Sequence, residues 1–160
     1  MGTLYLVRHG QASFGADDYD QLSELGRRQS EQLGRHWAER GLAFDTVITG
    51  TLRRHRQTWE AIAAGAGWQH QPLPWPGLNE YDSHAVIRSI YTQPLARPDT
   101  PELYRHHFRL LRDGLAQWMA GTVSPRGMPS YLEFVAGVTS ALDHVRQQHQ
   151  GQRVLIVSSG

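Results

Sequence analysis

The chain has 160 residues, with sixteen basic residues against fifteen acidic ones, for a net charge of +1 at pH 7. That near-balance argues against a protein held to nucleic acid by bulk charge. The absence of cysteine excludes disulfides, thiol nucleophiles, zinc–thiolate sites and iron–sulfur clusters. The length suits one domain, or one domain with a flap, able to bury about 68–70% of its unfolded surface. The longest apolar runs reach only about four residues, whereas a membrane helix needs roughly 20. The N-terminus lacks a charged leader region, and Arg8 breaks its only apolar stretch, so a cytoplasmic protein without membrane association is expected.

In chain order, Leu4-Tyr5-Leu6-Val7 reads as a buried strand stopped at Arg8-His9-Gly10. A loop from Gln11 to Gln21 follows. Ser23 is placed to cap a helix whose face carries Leu25, Leu33 and Trp37 and which Gly41 ends. Phe44 to Thr49 reads as a second strand, and Thr51 as the cap of a helix to about Ala64. Residues 70–83 are punctuated by Pro72, Pro74, Pro76 and Gly77 and read as loop. A short helix is expected over His84–Tyr91. Thr100-Pro101-Glu102 opens a helix that runs to about Met119. A last helix, from about Ser130 to Gln148, presents Leu132, Val135, Val138, Leu142 and Val145. Val154-Leu155-Ile156-Val157 is the third clear strand and runs into Ser158-Ser159-Gly160.

Strands of near-continuous apolar character separated by helices point to βαβ units and a parallel sheet covered on both faces. Residues 68–130 read as an inserted helical flap within a single domain, 1–160. The chain stops at the C-terminal edge of an apolar strand, where a covering helix would normally follow, so a further C-terminal portion is expected beyond Gly160.

Three clusters carry chemistry. Arg8-His9-Gly10 directly follows the first strand, at the edge where parallel sheets bind ligands. Arginine binds phosphate oxygens bidentately, neutral imidazole is a nucleophile, and glycine lets backbone approach a ligand. Arg53, Arg54 and Arg56 stand at a helix start facing the same edge, where free N–H groups favour anions; two of the three can be solvated surface groups. In Leu78-Asn79-Glu80, a loop carboxylate could serve as general acid. Nine histidines raise the question of a metal. There is no His-Glu-x-x-His, and His144 and His149 lie five apart, off one helical face, so no metal is expected. Trp75 and Tyr81 flank Glu80, and one of them is a candidate to line the pocket. Ser159 follows a strand as a nucleophile elbow does, but Val157 stands where such an elbow needs glycine.

Taken in order, Leu4-Tyr5-Leu6-Val7-Arg8-His9-Gly10, Leu22-Ser23-Glu24-Leu25-Gly26, Leu52-Arg53-Arg54-His55-Arg56-Gln57-Thr58 and Leu78-Asn79-Glu80 resemble the histidine phosphatase superfamily, also called phosphoglycerate mutase-like. The resemblance spans residues 4–80 and resumes at 153–160. It implies a three-layer α/β/α sandwich with a mostly parallel central sheet, and a helical flap inserted over the C-terminal strand edge. It implies phosphomonoester hydrolysis of a small phosphorylated metabolite through a phosphohistidine at His9. Arg8 and Arg54 would bind the phosphoryl oxygens, and Glu80 would be the acid and then the base. Neither metal nor cofactor is implied, because the arginines supply the positive charge. The expected partner is the small phosphorylated substrate, with no nucleic acid and no membrane; a homodimer is left open.

Three positions depart from the family pattern. Ser159 stands where the second motif carries histidine, so a hydroxyl replaces a side chain able to bear charge; losing a charge-assisted contact costs about 1.5–3 kcal/mol. Gly15 stands six residues after His9, where many members have Asn or Thr, and Ser13 is the candidate substitute. Gly50-Thr51 replaces a usual Ser-Pro. With Ser159 in the phosphate nest, the alternative is a catalytically impaired pseudoenzyme that binds phosphate-bearing ligands. A phosphoglycerate mutase is a lesser alternative, since nothing in the sequence points to a retained, reloaded phosphohistidine.

Overall fold

The computed structural model describes residues 1–160. Four strands, β1 (Thr3–Arg8), β2 (Thr46–Thr49), β3 (Leu73–Pro74) and β4 (Arg153–Ser158), form one sheet in the order β1-β4-β2-β3. All three neighbouring pairs are parallel. Arg8 is opposite Ser158, and Thr49 is opposite Val157. The ends of β1, β2 and β4 therefore finish together at one edge. The helices are α1 (Glu24–Glu39), α2 (Arg53–Ala66), α3 (Ser83–Ile90), α4 (Pro101–Met119) and α5 (Tyr131–Gln148).

The residues of β4 alternate between two cores, as the period of two requires. Leu155 and Val157 join Val47, Phe44, Trp59 and Ile62 under α1 and α2. Val154 and Ile156 join Ile48, Leu78 and Ala141 on the opposite face, beneath the C-terminal half of α5. These two cores make the three layers of an α/β/α sandwich. Full burial of an Ile or Leu side chain contributes about 1.5–3 kcal/mol, which makes β4, apolar on both faces, the sheet's main hydrophobic anchor.

Two compact units divide the chain: Met1–Glu80 with Gly137–Gly160, and Tyr81–Ala136. The sheet lies in the first. In the second, Val86 of α3 is fully buried and meets the backbone-like surface of Gly114 on α4. Trp118 is buried among the rings of Tyr81, Tyr131 and Phe134 and donates from Nε1 to Pro129 O at 3.2 Å.

Several sequence expectations need correction. The segment from 68 to 80, expected to open the flap, instead belongs to the sheet unit, where it supplies β3 and a 3₁₀ turn, Pro76–Leu78. Strand β1 is the outer strand among the four described. Tyr5 and Val7 pack against the α1/α2 core, while Leu4 and Leu6 are 39% and 70% exposed. On α5, Leu132, Val135 and Leu142 of the expected apolar stripe are exposed as well. Thr51 does not cap α2. The N-cap position is Leu52, and Thr51 Oγ1 instead accepts from Asn79 Nδ2 at 2.6 Å.

Candidate active site

The turn after β1 is locked from two sides. His9 N–H donates to Ser158 O at 2.9 Å, extending the ladder past β1. Gly10 N–H donates to Thr58 Oγ1 at 3.1 Å, and that hydroxyl donates to Arg54 O at 2.7 Å, tying the turn to α2. The first turn of α1 packs so tightly here that a Cβ on Gly10 would stand 2.4 Å from Gly26 O, and one on Gly26 2.1 Å from Gln11 O. Ser23 caps α1, its Oγ accepting from Gly26 N at 3.0 Å and itself donating to Gln11 Oε1 at 2.7 Å. The resemblance motifs around residues 8–10, 22–26 and 52–58 thus meet as one packed joint.

His9 is buried, and its Nδ1 lies 2.7 Å from Gly10 O. A carbonyl can only accept, so Nδ1 carries the proton, and in the neutral ring Nε2 keeps a free lone pair. Burial pulls the His9 pKa below its ordinary value, and the positive charges of Arg54 and Arg8 pull the same way; the Gly10 bond and Glu80 oppose them. Neutral imidazole is therefore the form present at pH 7.

Arg54 is 7% exposed, and its guanidinium is held on three sides. Nη1 bonds Asp20 at 3.0 Å, Nη2 bonds Glu80 at 2.7 Å, and Cζ lies 5.3 Å from the centre of the Tyr19 ring. Nε is buried with no partner, an unspent donor. Asp20 also takes the first N–H groups of α2, accepting from Arg53 N at 3.0 Å and Arg54 N at 3.2 Å. Burial alone would push the Asp20 pKa up, but these backbone bonds and the Arg54 charge outweigh it and leave the carboxyl below its ordinary value. Arg53 pairs with Asp18 at the surface.

A cavity of about 350 Å³ opens here, with Arg8, His9, Gly10, Phe14 and Tyr19 among its walls. The aromatic walls are Phe14 and Tyr19 rather than the expected Trp75 or Tyr81. Trp75 Nε1 donates to Ser140 Oγ at 3.0 Å, and Tyr81 packs on Trp118. Ser13, half-buried, is not among the cavity walls; its backbone N–H donates to Gln21 O at 2.8 Å. Arg54, Glu80 and Ser159 also stand outside those walls, although the first two bear on His9 electrostatically. Ser159 is half-buried, with its Oγ 2.8 Å from His55 Nε2. Asp20, Tyr19 and His55 carry this arrangement without having been singled out in the sequence. The only advance signal was the acidic, aromatic loop ahead of Ser23 and a histidine inside the basic string. His144 and His149, expected to point apart, come to 3.3 Å between their Nε2 atoms because His149 lies just past the end of α5. A larger surface cleft of about 780 Å³ lies on α4 between Tyr104, Arg105, Phe108 and Arg109, and it gathers no nucleophile–base pair.

The imidazole of His9 and the guanidinium of Arg8 thus line one cavity. Among known proteins, the chain is 38% identical over 61 residues to the mitochondrial serine/threonine-protein phosphatase Pgam5 of Drosophila sechellia, a match covering 37% of this chain and 21% of that protein. It is 37% identical over 89 residues to a 2,3-bisphosphoglycerate-dependent phosphoglycerate mutase of Rhizobium etli, covering 51% of this chain and 42% of that one. The chain thus matches less than half the length of these curated relatives. Its fold aligns with the mycobacterial glucosyl-3-phosphoglycerate phosphatase solved with VO3, at a TM-score of 0.63 and 21% identity, over 98% of this chain and 75% of that one. The family model of the histidine phosphatase superfamily (branch 1) matches residues 4–160, and the chain belongs to that superfamily.

Proposed function

We propose that this chain forms the catalytic part of a phosphomonoesterase acting on a small phosphorylated metabolite through a phosphohistidine at His9. The observation that carries this reading is the Nδ1–Gly10 bond of 2.7 Å, which leaves Nε2 of a buried, neutral His9 as the free nucleophilic atom.

In the first step Nε2 attacks phosphorus in line, an N–P bond forms, and the ester P–O bond breaks. Arg8, on the cavity wall, and Arg54, whose charge acts on His9, bind the equatorial oxygens, where transition-state charge gathers. Ser159 and Ser13 are the candidate neutral donors to the same group. Binding the phosphoryl dianion displaces Glu80 from Arg54. The freed carboxylate takes up a proton from solvent and gives it to the leaving oxygen as the P–O bond breaks. In the second step Glu80 takes a proton from water, the water oxygen bonds to phosphorus, the N–P bond breaks, and phosphate leaves with His9 restored.

One observation favours a second reading, a phosphate-binding pseudoenzyme. Both terminal nitrogens of Arg54 are already bound to carboxylates, so an incoming phosphoryl group must compete with Asp20 and Glu80. An aryl-phosphate hydrolysis assay separates the two. Turnover by the wild type that disappears in His9→Ala supports the esterase. Phosphate binding without turnover over a broad substrate panel supports the pseudoenzyme.

A further inference from the structure

Two small residues from different elements, Gly50 and Ser159, meet at a third side chain, His55. His55 sits in the first turn of α2, fully buried. Its Nε2 lies 2.8 Å from Ser159 Oγ, and its ring centre lies 5.9 Å from that of His9. A Cβ on residue 50 would stand 2.1 Å from His55 Nδ1 and 2.8 Å from Cε1, so glycine at 50 is what leaves room for the imidazole. The β1–β4 register sets Ser158 opposite Arg8, so Ser159 and His9 both follow the strand ends at one sheet edge.

Packing alone does not account for a histidine here. Nδ1 is buried with no partner, a cost that an apolar side chain of similar size would avoid. The ring is neutral. Burial first, then the positive charge of Arg54, and at acid pH repulsion from a protonated His9, drive its pKa down to about 4, with Asp20 opposing them. A neutral ring has one N–H. Placed on Nδ1, it would be an orphaned buried donor; placed on Nε2, it donates to Ser159 Oγ and leaves the Ser159 proton free to donate onward. The same pair does not make a nucleophile and its base. A serine–histidine couple needs a third group on the far ring nitrogen to orient the base, and Nδ1 has none.

We propose that His55 is a positioning residue for the phosphoryl group: its Nε2–H holds the Ser159 oxygen so that the Ser159 hydroxyl donates to a phosphoryl oxygen bound at His9. The inference rests on the reading of His9 as the phosphoryl acceptor. Together His55 and Ser159 supply a directed donor as a neutral polarised relay. Gly50, His55 and Ser159 then form one unit, each needed for the others' geometry.

The test combines aryl-phosphate kinetics with calorimetric binding of inorganic phosphate, on the wild type, Ser159→Ala, His55→Leu, His55→Gln and the double variant His55→Leu/Ser159→Ala. Ser159→Ala and His55→Leu are each expected to lower kcat/KM by about 10- to 100-fold and to weaken phosphate binding. The double variant should be no worse than the worse single one, because the two act as a unit. In His55→Gln, whose amide nitrogen reaches the Nε2 position, most activity should return. Unchanged phosphate affinity in Ser159→Ala would overturn the inference, and so would a double variant whose loss is the product of the two single losses. Should His55→Leu fail to fold, Ser159→Ala and His55→Gln still decide. Wild-type turnover that persists in His9→Ala would sink the reading of His9 instead. The phosphate-binding arm tests the His55–Ser159 relay whether or not the protein turns over.

Discussion

At the scale of single residues, the site is a balance between a neutral base and a caged cation. His9 is held neutral chiefly by burial, with its tautomer set by Gly10. This has a consequence for rate against pH. Protonated His9 has no lone pair on Nε2, so kcat/KM should fall tenfold per unit below the depressed His9 pKa. A pH–rate profile with its acid limb centred below 6.5, absent from any residual activity of His9→Ala, is the expected outcome; a limb centred above 7 would contradict the burial argument. Arg8, His9, Arg54 and Glu80 could be picked out from the sequence because they stand in motifs whose order and spacing are specific. Asp20 and Tyr19 could not, because their hold on Arg54 depends on the 11–21 loop folding back over α2, which no local pattern encodes. His55 was in plain view, but a histidine in a basic string reads as solvated until Gly50 and Ser159 are seen touching the same ring.

At the scale of elements, the joint between the β1 turn and α2 is what gives His9 its fixed direction. Thr58 is its pin: the hydroxyl accepts from Gly10 and donates to Arg54 O, while buried beyond reach of water. Thr58→Val keeps the shape and leaves the Gly10 N–H unpartnered. It should destabilise the fold by about 1–3 kcal/mol, read as a lowered urea midpoint, and should lower kcat more than it raises KM. Loss of stability with unchanged kcat would mean that the turn holds its shape without the pin. Caps supplied by the residue next to the helix were legible: Ser23 and Thr100 both cap as their positions indicate. The start of α2 was not, because its first N–H groups are taken by Asp20 from a distant loop rather than by Thr51. Strand β3 was missed because two residues, one of them proline, carry no periodicity.

At the scale of the whole molecule, the parallel sheet followed from short apolar runs alternating with helices, and β4 is buried on both faces as its composition requires. Strand order is a different matter. Apolar residues in β1 do not reveal that it is the outer strand of the four described, with Leu4 and Leu6 exposed. Burial of two neutral imidazoles makes the fold sensitive to acid. His9 and His55 both have folded-state pKa values below the unfolded value of 6.5, so the unfolded state binds more protons as pH falls. Their contribution is fully present above pH 6.5 and is lost as pH falls toward the folded values, about 4 for His55. Asp20 adds to the loss at lower pH, below its unfolded value of 3.8. Between pH 7 and pH 5, His55 alone should account for a loss on the order of 2 kcal/mol. His55→Gln should therefore lose less stability than the wild type over that interval, as followed by urea unfolding at the two pH values. Parallel losses would show that the buried ring is not what titrates.

The covalent role of His9 is tested most directly by rapid acid-free quench of the wild-type protein during turnover of an aryl phosphate, followed by peptide mass spectrometry. The account predicts an acid-labile phosphoryl group on the peptide containing His9, formed at a rate no slower than turnover and absent in His9→Ala. Turnover at full rate with an unmodified His9, or with the phosphoryl group carried on Ser159, would contradict it.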